Sequence, residues 1–465
     1  MRVAFVAAEV APFAKAGGLA DVIGALPKAL ANLGVEVAVF APRYRSVPQG
    51  LPERVRLSVR LGRASYAVRI LQGFLPRSHV PVYFLDQPAL FDRPGIYGEG
   101  DQDYPDNLRR FSLLGKAAVE AAYVLPWEPE IFHVHDWHTA LLPLFLDRAK
   151  IPARIVLTVH NLAFQGWFPL GEWQELGLPE EKLLLLGEGA WRCALRAGIL
   201  AADALTTVSP SYAQEILADG LGLDDVLRAK ASVLFGILNG IDVEEWDPQH
   251  DPHLWAPYSA KDLQGKAQNR EALLRELGLS GEGPVVAMVG RLTEQKGLDL
   301  VLAGLSRMLS LGITLVILGT GEARYAQALK AEEERWPARL RVLLEYSELW
   351  AHRVMAGADF LLMPSRFEPC GLTQLYALRY GTIPIVRATG GLRDTVRDVK
   401  EGGNGLVFGH YSAEAMLETL SRAVQLWRDE PQTLVELRQR AMNEDHSWAR
   451  SAQEYLRVYQ YVLSR

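Results

Sequence analysis

Val285-Val286-Ala287-Met288-Val289 is an unbroken apolar run, followed by Gly290-Arg291-Leu292-Thr293-Glu294-Gln295-Lys296-Gly297 and then by a helical pattern from Leu298 to Leu309. A strand buried on both faces of a parallel sheet reads as such a run, whereas a half-exposed strand alternates. The stretch is therefore one strand, a polar loop and a covering helix. Outward from it the unit repeats. Before it, strands are predicted at Val3–Ala8, Val35–Phe40, Val82–Leu85, Ile131–Val134, Ile155–Val159, Ala204–Val208 and Val233–Leu238. After it they are predicted at Thr314–Leu318, Arg341–Leu344, Phe360–Met363 and Ile383–Val386, with helix-length segments such as Leu19–Leu33 and Leu372–Tyr380 between strands. This alternation predicts α/β doubly wound architecture.

The chain has 465 residues, 49 % apolar and 22 % charged, which is material for two or three domains and excludes disorder. The net charge of −6 argues against nucleic-acid and anionic-membrane surfaces. Cys193 and Cys370 are the two cysteines, too few for a disulfide framework or a cysteine-rich metal site. Glu9 interrupts the N-terminal apolar run, so no signal peptide is expected, and no run reaches the ~18 apolar residues of a membrane span. A cytoplasmic protein is the expectation. The stretch from Asn239-Gly240 through Trp246-Asp247-Pro248 to Asp251-Pro252 has no period and reads as a linker between two halves. The terminal segment Ala449–Leu463 is amphipathic and needs a surface to cover.

Polar residues gather in the loops that follow predicted strands, where doubly wound sheets bind ligands. Lys15-Ala16-Gly17-Gly18-Leu19-Ala20-Asp21 opens a helix and suits an anion, with the glycines permitting close backbone approach. His133-Val134-His135-Asp136-Trp137-His138 ends a strand; it lacks an HExxH pair or a cysteine partner, and a polar ligand-binding strand end is favoured over a metal site. Thr158-Val159-His160-Asn161 ends the next strand in the same way. Arg291 and Lys296 bracket their loop as two cations able to neutralise neighbouring phosphates. Pro364-Ser365-Arg366-Phe367-Glu368-Pro369-Cys370-Gly371-Leu372-Thr373-Gln374 leads into a helix whose first N–H groups suit a phosphate, while Glu368 can accept sugar hydroxyls. Thr389-Gly390-Gly391-Leu392-Arg393-Asp394 echoes the first glycine turn.

Taken in order, these motifs resemble the bacterial glycogen synthases and plant starch synthases along essentially the whole chain, with Lys15-Ala16-Gly17-Gly18-Leu19 similar to the family's KxGGL loop and Asp445-His446-Ser447-Trp448 similar to its C-terminal end. The resemblance implies a GT-B fold, two Rossmann-like domains facing across a cleft: residues 1–238 with 449–465 packing back on them, and residues 239–448 as the donor-binding domain. It implies a retaining glucosyltransferase that extends α-1,4-glucan at the non-reducing end from ADP-glucose, with no metal or other cofactor. Among the residues that match, Lys15, Arg291 and Lys296 would hold the diphosphate with the backbone at Gly18, Leu372 and Thr373; Asp21 and Gly391 belong to the two glycine turns, and Tyr346 would lie against adenine. Glu368 with Cys370-Gly371 would hold the glucose hydroxyls, opposite Asp136, His160 and Asn161. Tyr376 stands where many retaining relatives carry a second glutamate, which leaves the ribose contact unassigned. Asp101-Gln102-Asp103 mimics a metal-binding DxD but reads as loop. Two other readings remain open: a GT-B transferase with another nucleotide-sugar or a small acceptor, and a non-catalytic sugar-binding protein.

Overall fold

The computed structural model describes residues 1–100, 102–147, 150–345 and 347–465. They form two compact units, Met1–Gly240 with Trp448–Arg465, and Ile241–Ser447.

In the first unit the strand order is Leu234–Gly236, Ala204–Thr207, Arg154–Val159, Ile131–His135, Arg2–Val6, Glu36–Pro42, Pro81–Asp86, Ala64–Phe74, Glu53–Leu61. Pairing is parallel as far as Pro81–Asp86 and antiparallel in the last two strands. The central strands are buried on both faces, as their continuous apolar runs require. The edge hairpin instead alternates, with Leu57, Val59 and Leu61 inward and Ser58 and Arg60 in solvent. The helix Trp448–Leu463 lays Tyr455, Val458, Tyr459 and Val462 into this unit beside the helix Gly18–Asn32, and Ser451 Oγ donates to Leu238 O.

The second unit is a six-stranded parallel sheet ordered Leu340–Leu343, Thr314–Leu318, Val285–Val289, Phe360–Met363, Ile383–Arg387, Leu406–Phe408. Numbered along this unit that is 3-2-1-4-5-6, the doubly wound order, so the chain reverses its winding between Val285–Val289 and Phe360–Met363. In the first unit the corresponding reversal lies between Arg2–Val6 and Ile131–His135. Loops leaving those four strands border the two crevices where such sheets hold ligands.

The stretch read as a linker is packed instead. Trp246 is sandwiched between the rings of Tyr376 (3.8 Å) and His352 (3.9 Å), and Asp251 bonds His352 Nδ1 at 2.6 Å. Its composition hid this, because a single indole and a buried carboxylate anchor a segment that has no period of its own. Tyr376, unassigned from the sequence, is thereby one wall of that sandwich. Gln102 and Asp103 pair antiparallel with Gly98 and Glu99, so this stretch is a short ladder and not simple loop, while Asp101 lies outside the described residues. Among the described residues, no helix is long and apolar enough to cross a membrane.

Candidate functional site

In the first unit the site grows from the ends of three adjacent parallel strands. Arg2–Val6 runs into Glu9, whose carboxylate is buried and accepts the N–H groups of Ala16 (2.7 Å) and Gly17 (2.8 Å) and the Tyr97 hydroxyl. Glu9 thus fixes the glycine loop from beneath. Burial raises its pKa, while the Tyr97 hydroxyl and the two amides pull it back down. Tyr97 is itself held, since Asn107 Nδ2 donates to its carbonyl and the buried Arg110 bonds the neighbouring carbonyls of Leu90 and Ile96. Gly17 is the N-cap of the helix Gly18–Asn32, so Gly18 N–H stands in a first turn that has no intrahelical acceptor. Lys15 pairs with Asp21 at 2.6 Å across that turn.

Ile131–His135 ends at Asp136, which adopts a left-handed φ of +54°, a conformation that costs a non-glycine residue energy. That turn aims its carboxylate at the next strand end, where Asp136 Oδ1 accepts His160 N–H at 2.7 Å. Burial lifts the Asp136 pKa to about 7, against the pull of the His160 and Asn161 amides. Burial also drives His160 and His138 down to about 3, and His133 and His135 well below the usual range. All four imidazoles are therefore neutral at pH 7. His133 is committed on both nitrogens, to Tyr459 (2.8 Å) and Thr158 (2.6 Å), so it is a structural residue that ties the C-terminal helix to the sheet. His135 Nδ1 meets His160 Nε2 at 3.0 Å, orienting the ring of His160. Asn161 accepts from Ala163 N at 3.0 Å and shapes the following turn.

In the second unit Val285–Val289 delivers Arg291 and Lys296, and the adjacent strand Phe360–Met363 delivers Ser365 and Glu368. Gly297, at φ +79°, lets the first loop lie against Pro364 O, where any Cβ would overlap that carbonyl. The close approach brings Lys296 Nζ to 2.6 Å from Glu368 Oε2. Ser365 Oγ donates to the same oxygen at 3.0 Å, and Glu368 is only 5 % exposed. Arg291 is exposed and makes no ion pair among the described residues. Gly290, Arg291, Lys296 and Ser365 line one small cleft at these strand ends.

The Cys370-Gly371 turn is pinned by Gln374, whose Nε2 donates to Cys370 O (3.0 Å) and Gly371 O (2.9 Å), just ahead of Leu372 and the helix Thr373–Arg379. Cys370 is buried. Gly391 does something different from what its echo of the first glycine turn predicted. Its N–H is spent on Glu368 O (3.0 Å) and Pro369 O (3.1 Å), and a Cβ there would overlap Cys370 O. It packs one loop onto another and offers no donor to a ligand, whereas Gly17 faces open space. Tyr346 lies outside the described residues.

Sequence reasoning missed Glu9, Tyr97 and Ser365 as parts of the site. The signal for Glu9 was present: a carboxylate just past the end of an apolar strand, eight residues before a glycine turn, is buried only if something donates hydrogen bonds to it.

Residues 2–229 match the family described as starch synthase catalytic domain, and residues 269–443 match glycosyl transferases group 1. The chain is 46 % identical to the glycogen synthase of Anaeromyxobacter dehalogenans strain 2CP-1, over 99 % of this chain and 98 % of that one. It is 44 % identical to the glycogen synthase of Halorhodospira halophila, over 100 % and 99 %. Among solved structures, the catalytic domain of starch synthase IV from Arabidopsis thaliana, bound to ADP and acarbose, superposes with a TM-score of 0.93 at 35 % identity, covering 100 % of this chain and 99 % of that one.

Proposed function

This chain belongs to the glycogen and starch synthase family and is a glycosyltransferase of GT-B fold with glycogen synthase function; from that premise we propose that it transfers glucose from ADP-glucose to the non-reducing end of an α-1,4-glucan with retention of configuration. The observation that carries the donor assignment is the Lys296–Glu368 pair at the carboxyl ends of the two strands flanking the winding reversal. That is where a doubly wound sheet holds a nucleotide. The starch synthase of TM-score 0.93 is bound to ADP and acarbose, a nucleotide and a glucan-like sugar, which supports both substrate classes.

In this reading Lys296 and Arg291 bind the diphosphate as fixed cations. Departure of ADP develops negative charge, and cations already in place stabilise it without reorganisation. Both bonds to Glu368 land on Oε2, which leaves Oε1 for a glucose hydroxyl. Leu372 and Thr373 N–H groups lie at the start of the following helix and serve the phosphate end of the donor. We also assign Lys15, as a cation, and Gly18, as an N–H in the first turn of its helix, to the phosphates of the donor. Asp136 fixes the peptide of His160, and we assign to the His160 carbonyl the stabilisation of the positive charge that develops at the anomeric carbon. A neutral His160 fits that role, because an imidazolium would oppose the same charge. The leaving phosphate takes the acceptor hydroxyl proton, and the new bond forms on the face the phosphate leaves. We place the reaction in the cytoplasm and assign it no metal.

The test supplies labelled ADP-glucose or UDP-glucose with a glycogen primer and follows incorporation. Transfer favouring ADP-glucose supports the proposal; transfer from neither donor, by folded protein, contradicts it.

A further inference from the structure

The second unit brings Glu245, Glu348 and His352 together, with one ligand atom of each lying within 4.8 Å of the others. Glu348 and His352 sit one turn apart on the helix Glu348–Gly357 and so share a face. Glu245 comes from the segment just before Trp246, which the Tyr376–Trp246–His352 stack holds in place.

The histidine carries the argument. It is 1 % exposed, and its Nδ1 is taken by Asp251 at 2.6 Å. Asp251 is in turn fixed by the Tyr380 hydroxyl. The other nitrogen, Nε2, is buried and has no hydrogen-bond partner among the described residues. A buried imidazole nitrogen without a partner is costly. A histidine whose second nitrogen is held by a carboxylate is also the arrangement found behind metal-ligating histidines, where the carboxylate sets the tautomer and sharpens the basicity of the ligating nitrogen. Trp246, stacked on the ring, removes its remaining rotational freedom.

We infer that Glu245, Glu348 and His352 form a binding site for a divalent transition-metal ion, of which zinc is the best match. One imidazole and two carboxylates suit zinc, and the fourth position is left to water. Both glutamates are exposed at the rim, so rotation of their side chains brings the oxygens in to the ~2.0–2.2 Å that zinc requires. Magnesium is a poor fit, since it demands oxygen ligands in near-octahedral geometry. A bound ion would tie the segment entering the second unit to the helix Glu348–Gly357. The site shares no residue with the Lys296–Glu368 pair.

The experiment is calorimetric titration of chelator-treated full-length protein with zinc chloride, beside Glu245→Gln, Glu348→Gln and the double variant. The expected result is one site per chain, weakened at least about tenfold in each single variant and lost in the double. Magnesium chloride should give no binding heat. Because both substituted side chains are exposed, the variants should keep the melting temperature of the metal-free parent, which separates lost binding from misfolding. Cobalt titration adds a second reading: a tetrahedral absorption band in the parent and none in the double variant. Zinc affinity unchanged in the double variant, or no one-to-one binding by the parent, would overturn the assignment.

Discussion

Asp136 Oδ1 accepts the main-chain N–H of His160 at 2.7 Å, a bond between the ends of two neighbouring parallel strands. It fixes one peptide plane with a carboxyl group whose pKa burial has raised from 3.8 to about 7. Because the folded value lies above the unfolded one, between about pH 4 and 7 the folded chain keeps a proton that the unfolded chain has released. The stability this proton provides is present in acid and is lost as pH rises through 7. Asp136→Asn can still accept from His160 but does not titrate. Its melting temperature should therefore gain on the parent's by about 5 °C between pH 5 and pH 8. An unchanged difference at the two pH values would rule out this titration.

Arg291 and Lys296 separate binding from stability. Arg291 is exposed and holds no carboxylate among the described residues, so Arg291→Ala should lower transfer by about 10²–10³-fold at an unchanged melting temperature. Lys296→Ala should lose activity on the same scale and also stability, because it leaves the buried Glu368 without its cation. Initial rates with ADP-glucose and thermal melts of both variants check this contrast.

The two glycine turns should respond oppositely to a methyl group. Gly391→Ala drives a Cβ into Cys370 O and should destabilise the second unit by about 1–3 kcal/mol, displacing the Glu368 turn. Nothing lies within 4 Å of a Cβ at Gly17, so Gly17→Ala should melt like the parent and show its effect in the donor KM. Equal melting temperatures for the two variants would refute the distinction.

Tyr459→Phe removes the partner of His133 Nδ1 deep in the first unit. A buried nitrogen left unsatisfied costs about 1–3 kcal/mol, so chemical denaturation should show that loss while the donor KM stays within twofold of the parent's.

The architecture was legible because parallel strands buried on both faces announce themselves as apolar runs: Val285–Val289, Thr314–Leu318 and Phe360–Met363 are strands at the predicted bounds. Of the four strands at the sheet edges, Leu234–Gly236 and Leu340–Leu343 fall within or beside the predicted Val233–Leu238 and Arg341–Leu344, whereas the other two were not predicted. Leu406–Phe408 is too short for a pattern, and Glu53–Leu61 carries the alternation of a half-exposed strand, a different period from the runs that dominate the chain. The loops bearing Arg291, Lys296, Glu368, Asp136 and His160 were legible from their place after strands. Which side chains meet was not. Lys296 reaches Glu368 only because Val285–Val289 neighbours Phe360–Met363, and strand order is not written in local sequence. Glu9 escaped for a related reason: two of its partners are main-chain amides, which no residue type reveals, and the third, the Tyr97 hydroxyl, is distant in sequence.

The most direct test of the whole account is the stereochemistry of the product, read by proton NMR while the enzyme extends a short maltooligosaccharide with ADP-glucose. The account predicts a new α-1,4 anomeric signal growing in step with release of ADP. A β-configured linkage, or ADP released with free glucose and no longer chain, would contradict it.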